Sequence, residues 1–203
     1  ILYNKMSHLN RRGYSIVKTD YSDEKLDKIR KKLTVKPFVV DDFGNGKNKS
    51  FKLYLESENK LYIPRFYGID VFGEPKRNKL MDGETTIVKF NGDLREEQKP
   101  VFNIAYKSLM TRGGGIISLK CGGGKTVLAL RLLTEIKQKT IILVHKEFLM
   151  TQWLDRIRQF IPKAKIGKIQ QKTIETDGCD IVLAMVQSIA TKEYDTGVFD
   201  DFG

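Results

Sequence analysis

Between Ser22 and Leu33 the apolar positions fall at Leu26, Ile29 and Leu33, with Asp23 and Glu24 ahead of them and Lys31 and Lys32 behind. That order predicts a short helix over 22–32 whose end charges match its dipole. β-rich runs follow at 34–40, 51–55 and 61–67, parted by turn-forming stretches at 41–46 and 58–60, and predict a small antiparallel sheet. Pro37 and Pro64 put their strands at edges or bulges, because proline has no N–H for a central ladder. A polar stretch over 73–79, then Asp82-Gly83, marks a connection, with the boundary near residue 85. Beyond it strand and helix patterns alternate at 116–119, 125–137, 140–145, 147–161 and 180–186. Alternation of this kind predicts an α/β unit, a parallel sheet covered by helices, over 86–203, preceded by a small α+β unit over 1–85.

Composition narrows the class. With 203 residues, 40% hydrophobic and 30% charged, the chain is long enough to bury a core without disulfides and is neither disordered nor membrane-spanning in character. No apolar run approaches the roughly 20 residues of a spanning helix, and the N-terminus lacks the order of a signal peptide. Cys121 and Cys179 have neither zinc-ligand nor redox spacing, so reduced thiols and an intracellular protein are expected. A net charge of +11 points to a polyanionic partner, nucleic acid foremost.

The segment Ser118-Leu119-Lys120-Cys121-Gly122-Gly123-Gly124-Lys125-Thr126 carries the chemistry. It follows a β-branched run and precedes the helical run from Val127, the strand–loop–helix context of a phosphate-binding loop. Glycines let successive N–H groups converge on phosphate oxygens, and the helix adds the positive end of its dipole. Lys125 is placed to neutralise the β and γ phosphates, and Thr126 to offer its hydroxyl to a magnesium ion shared with them. Leu119 stands where the general pattern has a first glycine. Asp93 and Glu96 have the spacing of a capping box, so a helix starts here, with Gln98 in its first turn.

Together these segments resemble the superfamily 2 helicases, XPB-like branch, and most closely those of large DNA viruses. The run Leu94-Arg95-Glu96-Glu97-Gln98 resembles the signature that opens their motor core, and the resemblance implies that Gln98 reads the adenine edge with Phe90 near the base. An amide can accept from adenine's amine and donate to a ring nitrogen at once. The run from Ile141 through Trp153 resembles a second family signature. Leu149, Trp153, Ile157 and Phe160 share a helical face, which makes Trp153 a core residue, while Lys146 stands at the strand-to-helix junction where ligands collect. His145, without partner carboxylates, reads as structural. Gln187 and Ser188 resemble the end of a Thr-x-Gln-Ser motif, with Met185 in place of threonine, and are implied to face the nucleic-acid backbone along with Lys146.

The resemblance implies a RecA-like first helicase lobe over 86–203 that uses ATP and Mg2+ and acts on nucleic acid, DNA ahead of RNA, as an ATP-dependent helicase or translocase. The loop residues Gly122, Gly123, Gly124, Lys125 and Thr126, with Gln98, hold the nucleotide, and Lys125 and Thr126 are the catalytic candidates. A monomeric motor serving transcription or repair is expected, in host cytoplasm or virion if viral and otherwise in the nucleus. Ile1 is not Met, and residues 199–203 resemble the lead-in to an Asp-Glu-x-His strand, so both ends read as cuts and turnover is expected of a longer parent. For 1–85 the likeness is to the leader domain of viral members. There Phe51, Tyr54, Tyr62, Phe66 and Tyr67 interleave with basic residues, as a small core with a basic exterior or as a base-stacking surface. Another phosphate-loop NTPase and a non-enzymatic basic binding module are the competing readings.

Overall fold

The computed structural model describes residues 6–36, 50–195 and 197–203. The chain divides into two compact units, Ile1–Leu80 and Met81–Gly203. The division precedes the expected position near 85 because the next residues are already tied into the second unit. Glu84 N donates to Asp201 O at 2.6 Å, and Lys139 N donates to Glu84 O at 2.9 Å.

In the first unit β1 (Ser7–Asn10) and β2 (Gly13–Val17) form a hairpin, followed by α1 (Asp23–Lys32). Then come β3 (Thr34–Val35), β4 (Phe51–Lys52), β5 (Leu55–Glu56), β6 (Lys60–Ile63), α2 (Arg65–Phe72) and β7 (Arg77–Asn78). Five of the strands make one sheet in the order β5-β6-β2-β1-β7, and β3 pairs with β4 alone. Alternation along the strands puts Leu9, Tyr14, Ile16, Leu61 and Ile63 on one face, where Leu26 and Ile29 of α1 cover them. Ser22 N-caps α1 as its position predicts. Gly68 lets α2 lie on that face, since a Cβ there would stand 2.3 Å from the Tyr14 ring.

Several expectations change here. The strand expected over 61–67 ends at Ile63, because Pro64 takes the N-cap of α2, where a missing N–H costs nothing. Pro64 therefore lies past a strand that is internal to the sheet. The run 51–55 breaks into β4 and β5. The β1–β2 hairpin was not foreseen. Pro37 and the turn at 41–46 lie outside the described residues.

The second unit contains α3 (Lys99–Arg112), α4 (Lys125–Ile136), β8 (Thr140–Val144), α5 (Glu147–Phe160), β9 (Ile166–Gln170), β10 (Thr173–Ile174), β11 (Ile181–Met185) and α6 (Val186–Thr191). Its sheet runs β10-β9-β11-β8, with β9, β11 and β8 mutually parallel and β10 joined to β9 as a hairpin. This is the expected α/β architecture, covered on both faces. Ile181 and Leu183 of β11 pack with Leu130 and Leu133 of α4 and Met150 and Ile157 of α5. Val182 and Ala184 face the other way, toward Ile189, Tyr194, Phe199 and Phe202. Trp153 packs against the first of these clusters, as its helical spacing predicts. The run 116–119, expected as a strand, enters no ladder, and Ile116 is 98% exposed. β-propensity alone does not hold a strand, and no described neighbour pairs with it. No helix among the described residues is long and apolar enough to cross a membrane.

Two predictions follow from the first unit's packing. Gly68→Ala drives a methyl into Tyr14 and lowers unfolding free energy by about 1–3 kcal/mol, measurable by urea denaturation. Glu56 accepts from Arg30 at 2.6 Å and pairs with Lys18 at 2.7 Å, and these cations, Arg30 foremost, push its carboxyl down to about 2. Ionisation is thus favoured in the folded state. Its stabilisation is complete above pH 4.5 and is lost as pH falls toward 2. Glu56→Gln costs about 1 kcal/mol at neutral pH, and the difference from the parent chain vanishes across that acid window.

Candidate functional site

The loop ahead of α4 is shaped by glycine. Gly122 and Gly124 take φ of 75° and 76°, a left-handed region that side chains with a Cβ resist. Gly123 N donates to Lys120 O at 3.1 Å and closes the turn. Gly124 is the N-cap of α4, with no side chain to cap it. The first helical bond of α4 runs from Leu128 N to Gly124 O. The N–H groups of Lys125, Thr126 and Val127 therefore have no acceptor among the described residues, and the helix dipole is positive at that end. This is the electrostatic and geometric condition for an anion with several acceptor oxygens.

Lys125 lies in the same place. Its Nζ donates to Leu119 O at 2.6 Å and to Lys120 O at 3.0 Å, so the ammonium is held by the loop's own carbonyls. Thr126 stands one residue further, in the first turn of the helix. An ammonium that rests on carbonyls exchanges them for more strongly charged phosphate oxygens at small reorganisation. The residue types and their placement at a free helix N-terminus fit a nucleoside triphosphate with its magnesium ion, which would take the Thr126 hydroxyl as a ligand.

Gln98 is brought against this loop, and its amide is already committed. Oε1 accepts from Arg95 N at 3.0 Å, and Nε2 donates to Gly123 O at 3.2 Å. Arg95 adds a second tie, Nη2 to Gly122 O at 3.2 Å. The residue is only 3% exposed. An adenine edge therefore reaches Gln98 only after the turn Glu96–Gln98 shifts, which departs from an amide standing open to the base. Each amide end keeps one further hydrogen-bonding capacity for it. The cap also sits elsewhere than expected: Gln98 closes on Arg95 N, rather than Glu96 on Asp93. Phe90 stacks on Phe160 at 5.2 Å with the rings 5° apart, and Arg131 lies over it at 5.7 Å. Its ring is partly buried, packs against the core and lines a cleft with Ile87, Val88 and Pro162.

The nucleic-acid candidates gather at the C-terminal ends of two adjacent parallel strands. Lys146 follows β8 as the exposed N-cap of α5, and Gln187 opens α6 just after β11. Gln187 Nε2 donates to the His145 backbone O at 2.9 Å, which ties the two strand ends together, while the His145 side chain is exposed. Ser188 departs from expectation. It is 8% exposed, and its hydroxyl accepts from Gln171 N at 2.9 Å, so it holds the β9–β10 turn from within instead of facing a strand. Cys121 and Cys179 are both free thiols, and burial, then Asp180, pushes Cys179 up. Arg95 was passed over in the sequence as part of a signature. Its position three residues before Gln98 was the available signal.

Comparison with known proteins identifies relatives of the chain as a whole. A protein of Acanthamoeba polyphaga mimivirus named as an ATP-dependent RNA helicase is 35% identical over 204 residues, covering 98% of this chain and 39% of its own length. A protein of Invertebrate iridescent virus 3 named as a helicase is 32% identical over 169 residues, 77% of this chain and 50% of that one. The DNA 3'-5' translocase XPB2 of Sulfurisphaera tokodaii is 35% identical over 110 residues, 54% of this chain and 24% of that one. Among solved structures, the Sulfolobus solfataricus SWI2/SNF2 ATPase core in complex with dsDNA is similar with a TM-score of 0.43 and 18% identity, over 56% of this chain and 25% of that chain. The chain thus spans 39% and 50% of the length of these two viral relatives. A family model described as the type III restriction enzyme res subunit matches residues 91–201, from the residue before Gly92 to the last covering segment of the sheet. That match takes in the glycine loop, Gln98 and both strand ends in one stretch of more than half the chain, which belongs to the type III restriction enzyme res-subunit family of superfamily 2 helicases.

Proposed function

We propose that this chain supplies the nucleotide grip and part of the nucleic-acid track of an ATP-driven helicase or translocase. One observation carries the reading: the N-terminus of α4 has no side-chain cap and no acceptor for its first amides, and it is flanked by Lys125, Thr126 and two left-handed glycines. Magnesium, when bound between Thr126 and the triphosphate, would supply charge neutralisation for phosphoryl transfer. The chain's own part is to bind and orient. Gly122, Gly123 and Gly124 shape the loop so that the amides of Lys125, Thr126 and Val127 face the phosphates, Lys125 moves its ammonium from the Leu119 and Lys120 carbonyls to phosphate, and Gln98 braces the loop through Gly123.

The track is read from Lys146 and Gln187, exposed side by side at the ends of β8 and β11, with Ser188 positioning the neighbouring turn. The names of the relatives divide between RNA and DNA, so the substrate is taken as nucleic acid as a class, with DNA first for the present reading. Turnover is assigned to the whole protein, because this chain spans 39% of the mimivirus relative. In that protein closure around ATP would convert phosphate chemistry into movement along the strand.

Titration with a fluorescent ATP analogue and magnesium tests the grip. The chain is expected to bind weakly, with Lys125→Ala raising Kd at least tenfold. Identical binding by the two proteins would refute the grip and favour a basic module without enzymatic function. Turnover by residues 1–203 should stay negligible with or without nucleic acid, and robust strand-dependent hydrolysis would overturn its assignment to the longer protein. Gly124→Ala should also abolish analogue binding. Its Cβ would lie 2.2 Å from Gln98 Nε2 on a backbone of φ 76°, so removing the amide with Gln98→Ala relieves the clash but not the strain and restores binding only in part.

A further inference from the structure

Ile87 is 93% exposed, yet it is not an isolated apolar residue on the surface. With Val88, Phe90 and Pro162 it lines a cleft of about 690 Å³ in the second unit, whose rim carries Lys89, Lys163 and Lys165. An apolar floor with a few polar groups around it is the make-up of a binding cleft.

The cleft stands apart from the sites described above. Lys165 and Asp180, which line it, immediately precede β9 and β11, so it lies at the N-terminal ends of the parallel strands. Lys146 and Gln187 follow the opposite, C-terminal ends. The five residues of β11 put about 16 Å between the two edges. Thr86, beside the cleft, donates its N–H to Lys137 O just past the end of α4, and the twelve residues of that helix put about 18 Å between this end and the glycine loop.

Charge at the rim is of one sign. Lys89, Lys163 and Lys165 are exposed and form no ion pair among the described residues. The acid in the lining, Asp180, is already committed, its Oδ1 accepting from Thr86 Oγ1 at 2.5 Å and its Oδ2 from Lys165 N at 2.9 Å. Asp177 adjoins the lining at Gly178 and leaves the balance positive.

One wall also has unused backbone groups. From Thr86 to Phe90 burial alternates, with Thr86 and Val88 buried and Ile87 and Lys89 exposed, the period of an extended chain. Thr86 N and Asn91 N donate to Lys137 O and Phe160 O, and Val88 N to Thr86 Oγ1. The N–H groups of Ile87 and Lys89 meet no acceptor among the described residues. In an extended chain these two lie along one edge, where a second strand can pair.

Together these features select the occupant. A second copy of this chain brings a net charge of +11 against a basic rim, and a phosphate backbone satisfies the lysines without filling the apolar floor. A fatty acid fills the floor and offers nothing to the amides. We propose that the cleft docks an extended acidic segment of a partner protein. One large apolar side chain sits among Ile87, Phe90 and Pro162, carboxylates meet Lys89, Lys163 and Lys165, and main-chain hydrogen bonds form along Ile87–Lys89. Such a segment ties the α/β unit to another protein and leaves both the glycine loop and the ends of β8 and β11 uncovered.

The test uses the full 203-residue chain and the fluorescein-labelled peptide Glu-Glu-Val-Phe-Val-Glu-Glu, read by anisotropy at low salt. Saturable binding with Kd below about 1 mM is expected. The double variant Lys89→Glu, Lys163→Glu should raise Kd at least tenfold. Lys165 is left in place because it adjoins Asp180. Ile87→Ser should raise Kd about fivefold by removing apolar contact. All three substituted positions are exposed, and thermal melts should match the parent chain. Absence of saturation, or unchanged affinity in both variants, would overturn the inference. Equal affinity for hexaglutamate, or displacement of the peptide by oligo(dT) or laurate, would make the cleft a general anion or lipid surface and overturn it as well. Displacement by ATP with magnesium would assign the cleft to the nucleotide base, with the same result. The fluorescent ATP analogue should bind the parent and both variants alike, so this inference and the nucleotide reading fail separately.

Discussion

Three amides at the head of α4, from Lys125, Thr126 and Val127, point away from the helix without acceptors among the described residues. Ser22 meets one such group for α1 by accepting from Lys25 N, whereas α4, like α2, α3, α5 and α6, has no side-chain cap. Gly124 has no side chain to offer as a cap and takes a left-handed φ, and the three amides find no acceptor among the described residues. Water can meet such groups at an exposed helix end, so the helix is held in place by its packing rather than by a cap. α4 does this with Leu128 and Leu130, fully buried, and Leu132 and Leu133 close to it. The helix is thus anchored by its apolar residues so that its first turn can remain available to a ligand.

The same constraint explains Gln98 and Arg95. A loop of three glycines has high conformational entropy, and a site of fixed geometry requires that freedom to be removed by something other than side chains of its own. Two hydrogen bonds from the turn Glu96–Gln98, to the carbonyls of Gly122 and Gly123, do so from outside. The lysine contributes a third restraint by resting on Leu119 and Lys120 carbonyls. Donors aimed at carbonyls leave amides free. A loop braced in this sense is ordered without its anion-binding groups being consumed.

Legibility followed the strength of local signals. α1, α4, α5, β8 and β11 were readable because caps, helical spacing and β-branched runs agreed with one another, and so was Trp153 as core. The β1–β2 hairpin was not, since Ser7, His8, Asn10 and Ser15 alternate with Leu9, Tyr14 and Ile16 in a pattern dominated by polar types. α2 was hidden by Tyr62-Ile63-Pro64, which reads as strand until proline's role as helix N-cap is recognised. The run 116–119 failed in the opposite direction, as strand composition without a pairing partner. At the site, the loop residues were legible individually, but what holds them was not. The ties from Gln98 and Arg95 to the loop join positions more than twenty residues apart, and the inward turn of Ser188 depends on Gln171. Sequence spacing carries no information on such contacts.

Charge and packing are separated between the units in a way that neither requires for folding. The larger unit is nearly balanced, eighteen basic residues to fifteen acidic, and buries a sheet on both faces. In the smaller unit the described helices pack on one sheet face, and Arg77, Lys79 and Lys60 lie on the other without ion pairs among the described residues. Like charges on adjacent strands destabilise a sheet, and the His8 pKa is lowered first by burial and then by Lys79, Lys60 and Arg77. A fold selected for stability alone would alternate acids with these bases, as the same sheet does at its edge, where Glu56 meets Arg30 and Lys18. The uncompensated face is therefore the counterpart of the uncapped helix. In both places positive potential is left without an acid beside it among the described residues, and a bound anion would lower it.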